Sequence, residues 1–237
     1  MNAKTGNPVT NWLPFIVGGL LVVVFAGLGT WQISRGLDKQ ADRALFSDET
    51  GFAAWQDGVQ VRPYQQLRAT GHYDSERQFL LENIMVNSRQ GYFVITPLLG
   101  EDDEPVLLVN RGWLEKNATP IDPTTLEVPT TRITVRGRAG TLPRAGFKMG
   151  AAIDSANDWP KVAVYPSSDE VAEALATPVQ SFLLLLDPEE QHGFSRQWLP
   201  TGLGPGKNFG YAFQWFAMAV ALAALLTWNY RKKRFLS

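Results

Sequence analysis

The sequence contains no cysteine, which excludes disulfides, thiolate metal sites and cysteine nucleophiles. Its only two histidines, His72 and His192, lie far apart and lack the i, i+4 spacing of a helical zinc site. We therefore interpret both as surface or turn residues. Acidic residues are absent from both ends of the chain, because all 23 Asp and Glu lie between Asp38 and Glu190. The two ends are instead dominated by long uncharged stretches.

The longest uncharged stretch near the C-terminus is Phe209–Tyr230, and four consecutive cations, Arg231–Arg234, follow it at once. As a helix it would rise about 33 Å, which matches the hydrocarbon core of a bilayer. The alternative is a buried helix of a soluble domain. Trp228 and Tyr230 precede the cations in the order typical of a membrane interface, so we favour a membrane span with the basic tail in the cytoplasm.

A second span is predicted near the N-terminus, where no charge occurs between Lys4 and Arg35. Trp12 and Trp31 bound this stretch about 28 Å apart on a helix, so both rings can occupy opposite interfaces. A cleaved signal peptide is the alternative interpretation. It would have a basic start, a shorter apolar core and a small-x-small cleavage site, and the sequence favours a permanent anchor.

Two spans place both termini on one side of a membrane and the middle of the chain on the other. Residues Arg35–Lys207 carry 17 basic and 23 acidic side chains, a net charge of 17 − 23 = −6, while the five remaining cations lie in the flanks. An acidic domain does not suit nucleic acid as a partner. The short segment before the first span favours a bacterial inner membrane over a mitochondrial one. The predicted order is a cytoplasmic N-terminus (1–11), a transmembrane helix (12–33), a periplasmic domain (34–207), a second transmembrane helix (208–230) and a cytoplasmic tail (231–237).

The predicted periplasmic domain is of the α+β class, with a mostly antiparallel sheet and short helices. An amphipathic helix is expected to continue the first span to about Phe46, with Gly36 loosening the joint. A short N-capped helix is predicted to begin near Ser168. Segments rich in β-branched, aromatic and leucine residues, divided by turn residues, are predicted strands: Tyr64–Tyr73, Gln78–Val86, Tyr92–Leu99, Val106–Leu114, Arg132–Ala139 and Phe182–Leu186.

Motifs that would indicate catalysis are incomplete. Gly202–Asn208 resembles a phosphate-binding loop, but its leading glycine and its final Ser or Thr are missing. The acidic turn Glu101–Glu104 lacks the ligand spacing of a calcium loop, and no Gly-x-Ser-x-Gly nucleophile motif occurs. We therefore expect no enzymatic activity and no metal site.

Polar and aromatic side chains remain at the predicted membrane boundary, where polar groups usually face protein or ligand rather than lipid. On the second helix, Tyr211 and Trp215 are four residues apart and share a face, with Gln214 beside them. One interpretation is helix–helix contact plus an aromatic belt, and the other is a cofactor or partner surface. The full set comprises Gln32, Arg35, Asn208, Tyr211, Gln214 and Trp215.

Several sequence blocks, in order along nearly the whole chain, resemble the Surfeit locus protein one family, the membrane-anchored assembly factors of cytochrome c oxidase. The blocks are Leu28-Gly29-Thr30-Trp31-Gln32 with Arg35, Arg62-Pro63-Tyr64 leading to Gly71-His72-Tyr73-Asp74, Gly91–Leu98, Val109-Asn110-Arg111-Gly112-Trp113, and Tyr211-Ala212-Phe213-Gln214-Trp215-Phe216.

The resemblance implies a non-catalytic role in maturation of oxidase subunit I, in contact with its assembly intermediates and haem a synthase. Bacterial relatives are proposed to bind haem a, with a histidine three residues before the Tyr of the last block. This sequence has Asn208 there, and an amide is a poor iron ligand. The resemblance makes Tyr211, Gln214 and Trp215 candidates for a haem or partner surface. Arg35 and Arg111 are candidates to pair with haem propionates.

For Arg111, structural bracing of the sheet end is the alternative interpretation. The leading hypothesis for the chain is an assembly chaperone for a haem–copper oxidase. A permanent accessory subunit of a respiratory complex and a membrane-anchored periplasmic enzyme are the other two. The enzyme would need a cleft with convergent titratable residues, which the motifs do not indicate.

Overall fold

The computed structural model describes residues 8–47, 51–101, 104–117, 121–144, 152–153, 158–199 and 204–235. The chain divides into two compact units, which we call the helix pair (Met1–Ala44 with Pro200–Ser237) and the barrel domain (Leu45–Leu199). In chain order the elements are α1 (Pro8–Phe46), β1 (Ala53–Ala54), β2 (Gln66–Tyr73), β3 (Phe79–Val86), β4 (Arg89–Leu99), β5 (Val106–Glu115), a 3₁₀ turn (Pro123–Leu126), β6 (Ile133–Gly140), β7 (Lys161–Ala163), α2 (Ser168–Leu175), β8 (Val179–Leu186) and α3 (Pro205–Phe235).

Helices α1 and α3 lie antiparallel in the helix pair. Near one end, the ring of Tyr230 contacts Trp12 and Phe15, with centroids 6.5 and 6.2 Å apart. Near the other end, the ring of Phe209 lies against Gly36. Both helices are long and apolar enough to cross a bilayer. The prediction of two terminal apolar helices that flank a β-rich domain is confirmed.

Helix α1 continues without interruption from its apolar part to Phe46, as the sequence predicted. The expected loosening at Gly36 is not seen, because this residue lies inside the helix. Its missing side chain serves packing instead, since a Cβ at Gly36 would lie 2.6 Å from Cε1 of Phe209. The helices extend beyond the predicted spans 12–33 and 208–230, so those membrane boundaries stay predictions.

Five strands of the barrel domain close into a barrel. Their order is β2–β6–β8–β5–β4, and β4 returns to β2 through the pairs His72↔Leu99 and Tyr73↔Leu98. All pairs around the ring are antiparallel except β5–β8. The closure depends on Gly71, where a Cβ would collide with the carbonyl oxygen of Leu99. The predicted mostly antiparallel α+β fold is confirmed.

Apolar side chains from all five ring strands pack together as one core. Strand β2 alternates buried and exposed residues along most of its length, as a strand with one face on a core must. Burying each large aliphatic side chain contributes about 1.5–3 kcal/mol. The core residues are Leu67, Ala69, Tyr73, Leu98, Leu107, Val109, Val135, Ala139, Leu184 and Leu186.

Shorter elements extend and cover the barrel. Strand β3 pairs with β4, β7 pairs with β3, and β1 pairs with β2. Helix α2 contributes Val171 and Leu175 to a second apolar cluster, and the 3₁₀ turn contributes Leu126 to a third. The helix is capped by Ser167, one residue before the predicted cap, and Glu170 completes a capping box with it.

Candidate functional site

Three polar side chains meet between the two long helices, within an otherwise apolar contact. Asn208 Nδ2 donates a hydrogen bond to Gln32 Oε1 at 2.8 Å, and Lys39 Nζ donates to Asn208 Oδ1 at 2.9 Å. Because an ammonium group can only donate, the oxygen of Asn208 must face Lys39 and its nitrogen must face Gln32. We call these three residues the polar cluster. Both ends of the Asn208 amide are therefore engaged.

The helix geometry explains how Asn208 reaches two residues of α1. Gln32 and Lys39 are seven residues apart, which places them on one face about 10.5 Å from each other. Gly36 lies between them, and the ring of Phe209 occupies the space of its missing side chain. This close approach brings Asn208, the neighbour of Phe209, within hydrogen-bond distance of both partners.

The predicted site residues that follow on α3 differ in their surroundings. Trp215 is half-buried and packs against Phe25, with ring centroids 5.6 Å apart. Tyr211 is 53% exposed, and Gln214 is also exposed within the helix pair. Polar groups on an apolar membrane helix are costly against lipid and usually face protein. Tyr211 and Gln214 therefore form the part of the predicted site that is open to a partner.

The two predicted arginines lie in different units and belong to different surroundings. Arg35 is exposed on α1, one turn from Gln32, and does not take part in the polar cluster. Arg111 lies on β5 of the barrel domain, where it is only 2% exposed. It follows Leu107 and Val109 at two-residue spacing, on the side of the strand that forms the barrel core. Of the predicted set, the polar cluster contains Gln32 and Asn208.

Nearly every donor of Arg111 is used within the barrel domain. Its Nε donates to His192 O at 2.7 Å, and its Nη1 donates to Gln78 Oε1 at 3.0 Å and to Leu126 O at 2.9 Å. Its Nη2 donates to Glu127 O at 3.3 Å. These bonds join β5 to three other segments. Their geometry is that of a structural brace, which is the alternative interpretation that the sequence offered for Arg111.

Burial shifts the pKa values of two neighbouring side chains at this end of the barrel, Arg111 and Tyr73. It lowers the pKa of Arg111 to about 10, and the nearby Tyr73 opposes that shift. The guanidinium carbon also lies 5.0 Å from the ring centre of Phe194, a favourable cation–π arrangement. Burial raises the pKa of Tyr73 to about 12. At neutral pH Arg111 is therefore charged and Tyr73 is neutral.

Sequence reasoning missed the residues that hold Asn208 and Arg111 in place. Lys39 was not among the predicted site residues, and its seven-residue spacing from Gln32 was the signal that could have found it. Gln78 and Thr96 are buried, with Thr96 Oγ1 donating to Gln78 Oε1 at 2.7 Å. A polar residue at the start or middle of an apolar strand was the available signal for both.

The polar cluster does not fit haem iron ligated at position 208. Haem iron in proteins is held by imidazole, thiolate, thioether or phenolate groups, whereas Asn208 offers an amide that already binds Gln32 and Lys39. Neither histidine of the chain lies in the helix pair. Within the described ranges, no group of three or more His, Asp or Glu side chains is placed to hold a metal ion.

Comparison with known proteins gives consistent matches. The model of the SURF1 family matches residues 19–220. A SURF1-like protein from Rickettsia bellii (strain RML369-C) is 26% identical over 218 residues, which cover 86% of this chain and 85% of the relative. A SURF1-like protein from Rickettsia conorii (strain ATCC VR-613 / Malish 7) is 33% identical over 111 residues, 44% of this chain and 43% of the relative. One from Rickettsia felis (strain ATCC VR-1525 / URRWXCal2) is 31% identical over 97 residues, 38% and 41% of the two chains.

Proposed function

This chain belongs to the SURF1 family, generally assembly factors of cytochrome oxidase rather than catalysts, and we propose that it promotes assembly of a haem–copper cytochrome c oxidase. The observation that carries the proposal is the extent of the family match. Residues 19–220 include most of α1, the whole barrel domain and the first half of α3. The family assignment made from the ordered sequence blocks is thereby confirmed.

The proposed location is a bacterial inner membrane, with both termini in the cytoplasm and the barrel domain in the periplasm. The antiparallel helix pair supports this arrangement, since α1 and α3 bring the two ends of the chain to the same end of the pair. The four cations Arg231–Arg234 support a cytoplasmic position for that end.

The proposed partner is oxidase subunit I in an immature state, with haem a synthase as a second contact. An exposed phenol and an exposed amide, on Tyr211 and Gln214, give a membrane-embedded helix of the partner a surface with both stacking and hydrogen-bonding groups. The chain would assist haem a insertion by holding the receiving subunit open. Asn208 would have no part in ligating the iron.

An optical spectrum separates assistance from carriage of haem. The protein and its Asn208→His variant would be purified from a host that makes haem a. We expect the natural protein to be colourless and the variant, which gains an imidazole at this position, to acquire a haem spectrum. A haem spectrum in the natural protein would contradict assistance without carriage and would direct the search to other ligands.

The assembly role is tested in a deletion strain. We expect oxidase content and haem occupancy of subunit I to fall, and we expect tagged protein to copurify with subunit I precursors in less than stoichiometric amount. Normal oxidase in the deletion strain would refute the role. Stoichiometric presence in the mature oxidase would favour a permanent accessory subunit instead.

A further inference from the structure

A groove of about 520 Å³ lies on the barrel domain beside the end that Arg111 closes. This volume is within the range of about 300–1,000 Å³ that ligand sites occupy. Three segments line the groove: the connection from β2 to β3, the 3₁₀ turn with the residues after it, and the loop before β7. Their lining residues include Ser75, Glu76, Glu127 and Trp159.

The groove is preformed, because hydrogen bonds from the buried side chains of Gln78 and Arg111 fix two of its three segments. Gln78 Nε2 donates to Ser75 O and to Leu126 O, each at 3.0 Å. Arg111 Nη1 donates to the same Leu126 oxygen, and Arg111 Nη2 donates to Glu127 O. A ligand therefore finds these segments already ordered, which lowers the entropy cost of binding.

The lining of the groove favours a cation on an aliphatic stem. Its charged lining residues are Glu76 and Glu127, both exposed, and no Lys or Arg is among the lining residues. Trp159 and Val128 give it apolar surface. Lys161 already places its Nζ 5.3 Å from the ring centre of Trp159, so a ligand cation would pair with the glutamates and use Trp159 only as apolar surface.

We propose that this groove binds an extended basic segment of the oxidase subunit that the chain helps to assemble. A lysine or arginine of that segment would pair with Glu76 and Glu127 and lay its methylene groups on Trp159. The hydroxyls of Ser75 and Thr130 would bind peptide groups of the segment. The identification of the partner as an oxidase subunit rests on the proposed function. The binding of a basic segment in the acidic groove does not depend on that function.

The direct test uses the full-length protein in lipid nanodiscs and fluorescein-labelled peptides that each cover one periplasmic loop of oxidase subunit I. We expect a lysine- or arginine-containing peptide to bind, with affinity that falls as salt is added. Replacing its basic residues with glutamine should abolish binding. The variant Glu76→Gln/Glu127→Gln should bind the basic peptide about tenfold more weakly, because it loses two charge pairs.

The matched control is Glu173→Gln/Glu189→Gln, which removes the same charge from two exposed positions outside the groove lining. It should bind like the natural protein. Binding of no loop peptide, or an equal loss of affinity in the control, would overturn the proposal. Thermal unfolding of both variants checks their fold, which should persist since all four side chains are exposed.

Complementation in the deletion strain separates this proposal from the assembly role. If the deletion lowers oxidase content and the groove variant restores it fully with normal copurification of subunit I, the groove assignment fails and the assembly role stands. If the deletion leaves oxidase content normal, the assembly role fails whatever the peptides do. If oxidase content stays low with the groove variant but is restored by its control, the result supports both the groove assignment and the assembly role.

Discussion

In the helix pair, glycines of α1 lie against large side chains of α3, whereas the core of the barrel domain is formed mainly by aliphatic side chains. Gly18, Gly29 and Gly36 lie along one face of α1, and Cβ atoms added to them would lie 2.7, 2.8 and 2.6 Å from Leu226, Phe216 and Phe209. Helices in lipid gain little from the hydrophobic effect and associate through close packing, while the barrel gains from removing apolar surface from water.

The two regions also treat polar side chains differently. The helix pair keeps Gln32, Lys39 and Asn208 half-buried, so each residue retains some access to its surroundings. The barrel domain buries Arg111 almost completely and satisfies it with main-chain oxygens and Gln78. We infer that the hydrogen bonds of the polar cluster adjust the packing of α1 on α3, whereas the hydrogen bonds of Arg111 are required for a stable barrel. Variants of each region can test this contrast.

The largest effect is expected from Arg111→Met, which removes the donor of His192 O and Glu127 O. It also removes one of the two donors of Gln78 Oε1 and of Leu126 O. Each lost hydrogen bond contributes about 0.5–1.5 kcal/mol, so the free energy of unfolding of the barrel domain should fall by roughly 3–5 kcal/mol. Limited proteolysis and thermal unfolding of the full-length protein measure this loss.

The control for Arg111→Met is Arg89→Met, since the side chain of Arg89 is 64% exposed and pairs with Glu115. Loss of an exposed ion pair should cost about 0–1 kcal/mol. Equal destabilisation by the two variants would mean that the buried network does not brace the barrel.

A smaller effect is expected in the helix pair from Gly29→Leu, which places a side chain where the ring of Phe216 lies. Overpacking of this kind costs about 1–3 kcal/mol, so α1 and α3 should separate more readily. Because the chain has no cysteine, Trp12→Cys/Tyr230→Cys introduces a clean pair for a short thiol crosslinker. Its crosslinking yield in membranes should drop when Gly29→Leu is added.

Gly27→Leu is the matched control for Gly29→Leu, two residues away on α1. A Cβ at Gly27 meets no atom within 4 Å, so the added leucine should leave the crosslinking yield unchanged. If Gly27→Leu lowers the yield as much as Gly29→Leu does, the helices do not depend on the glycine face seen here.

The fold was largely predictable wherever local pattern decides it. Uncharged length predicted α1 and α3, and residue type with turn chemistry predicted the α2 helix and six of the eight strands found in the described ranges. Strands β1 and β7, with two and three residues, carry too little pattern to be found. The return of β4 to β2 and the parallel β5–β8 pair join segments distant in sequence, and no local signal encodes them.

The candidate site was predictable only in part. The predicted membrane boundary included Asn208, and the resemblance singled it out as the position of the family histidine. The contact with Lys39 depends on how α1 and α3 pack, which residue patterns did not specify. For Arg111 the sequence left two roles open, because burial and partner carbonyls at a strand end become visible only in three dimensions.

The smallest effect is expected from Tyr73→Phe. This variant compares two buried polar groups of the barrel domain, the hydrogen-bonded Arg111 and the Tyr73 hydroxyl. Among the described residues, the Tyr73 hydroxyl is the buried side-chain atom without a hydrogen-bond partner, so its removal should change the free energy of unfolding at neutral pH by less than about 1 kcal/mol.

Burial raises the pKa of the Tyr73 hydroxyl from 10.0 to about 12 in the folded protein. Since the folded state holds this proton more tightly, the associated stability is complete below pH 10.0 and is lost as the pH rises through about 12. A tyrosinate absorbance titration should therefore show one late step that vanishes in Tyr73→Phe and persists in the control Tyr165→Phe. A late step that survives in Tyr73→Phe would mean that this hydroxyl is not buried in the barrel core, and a large loss of stability would mean that it has a partner there.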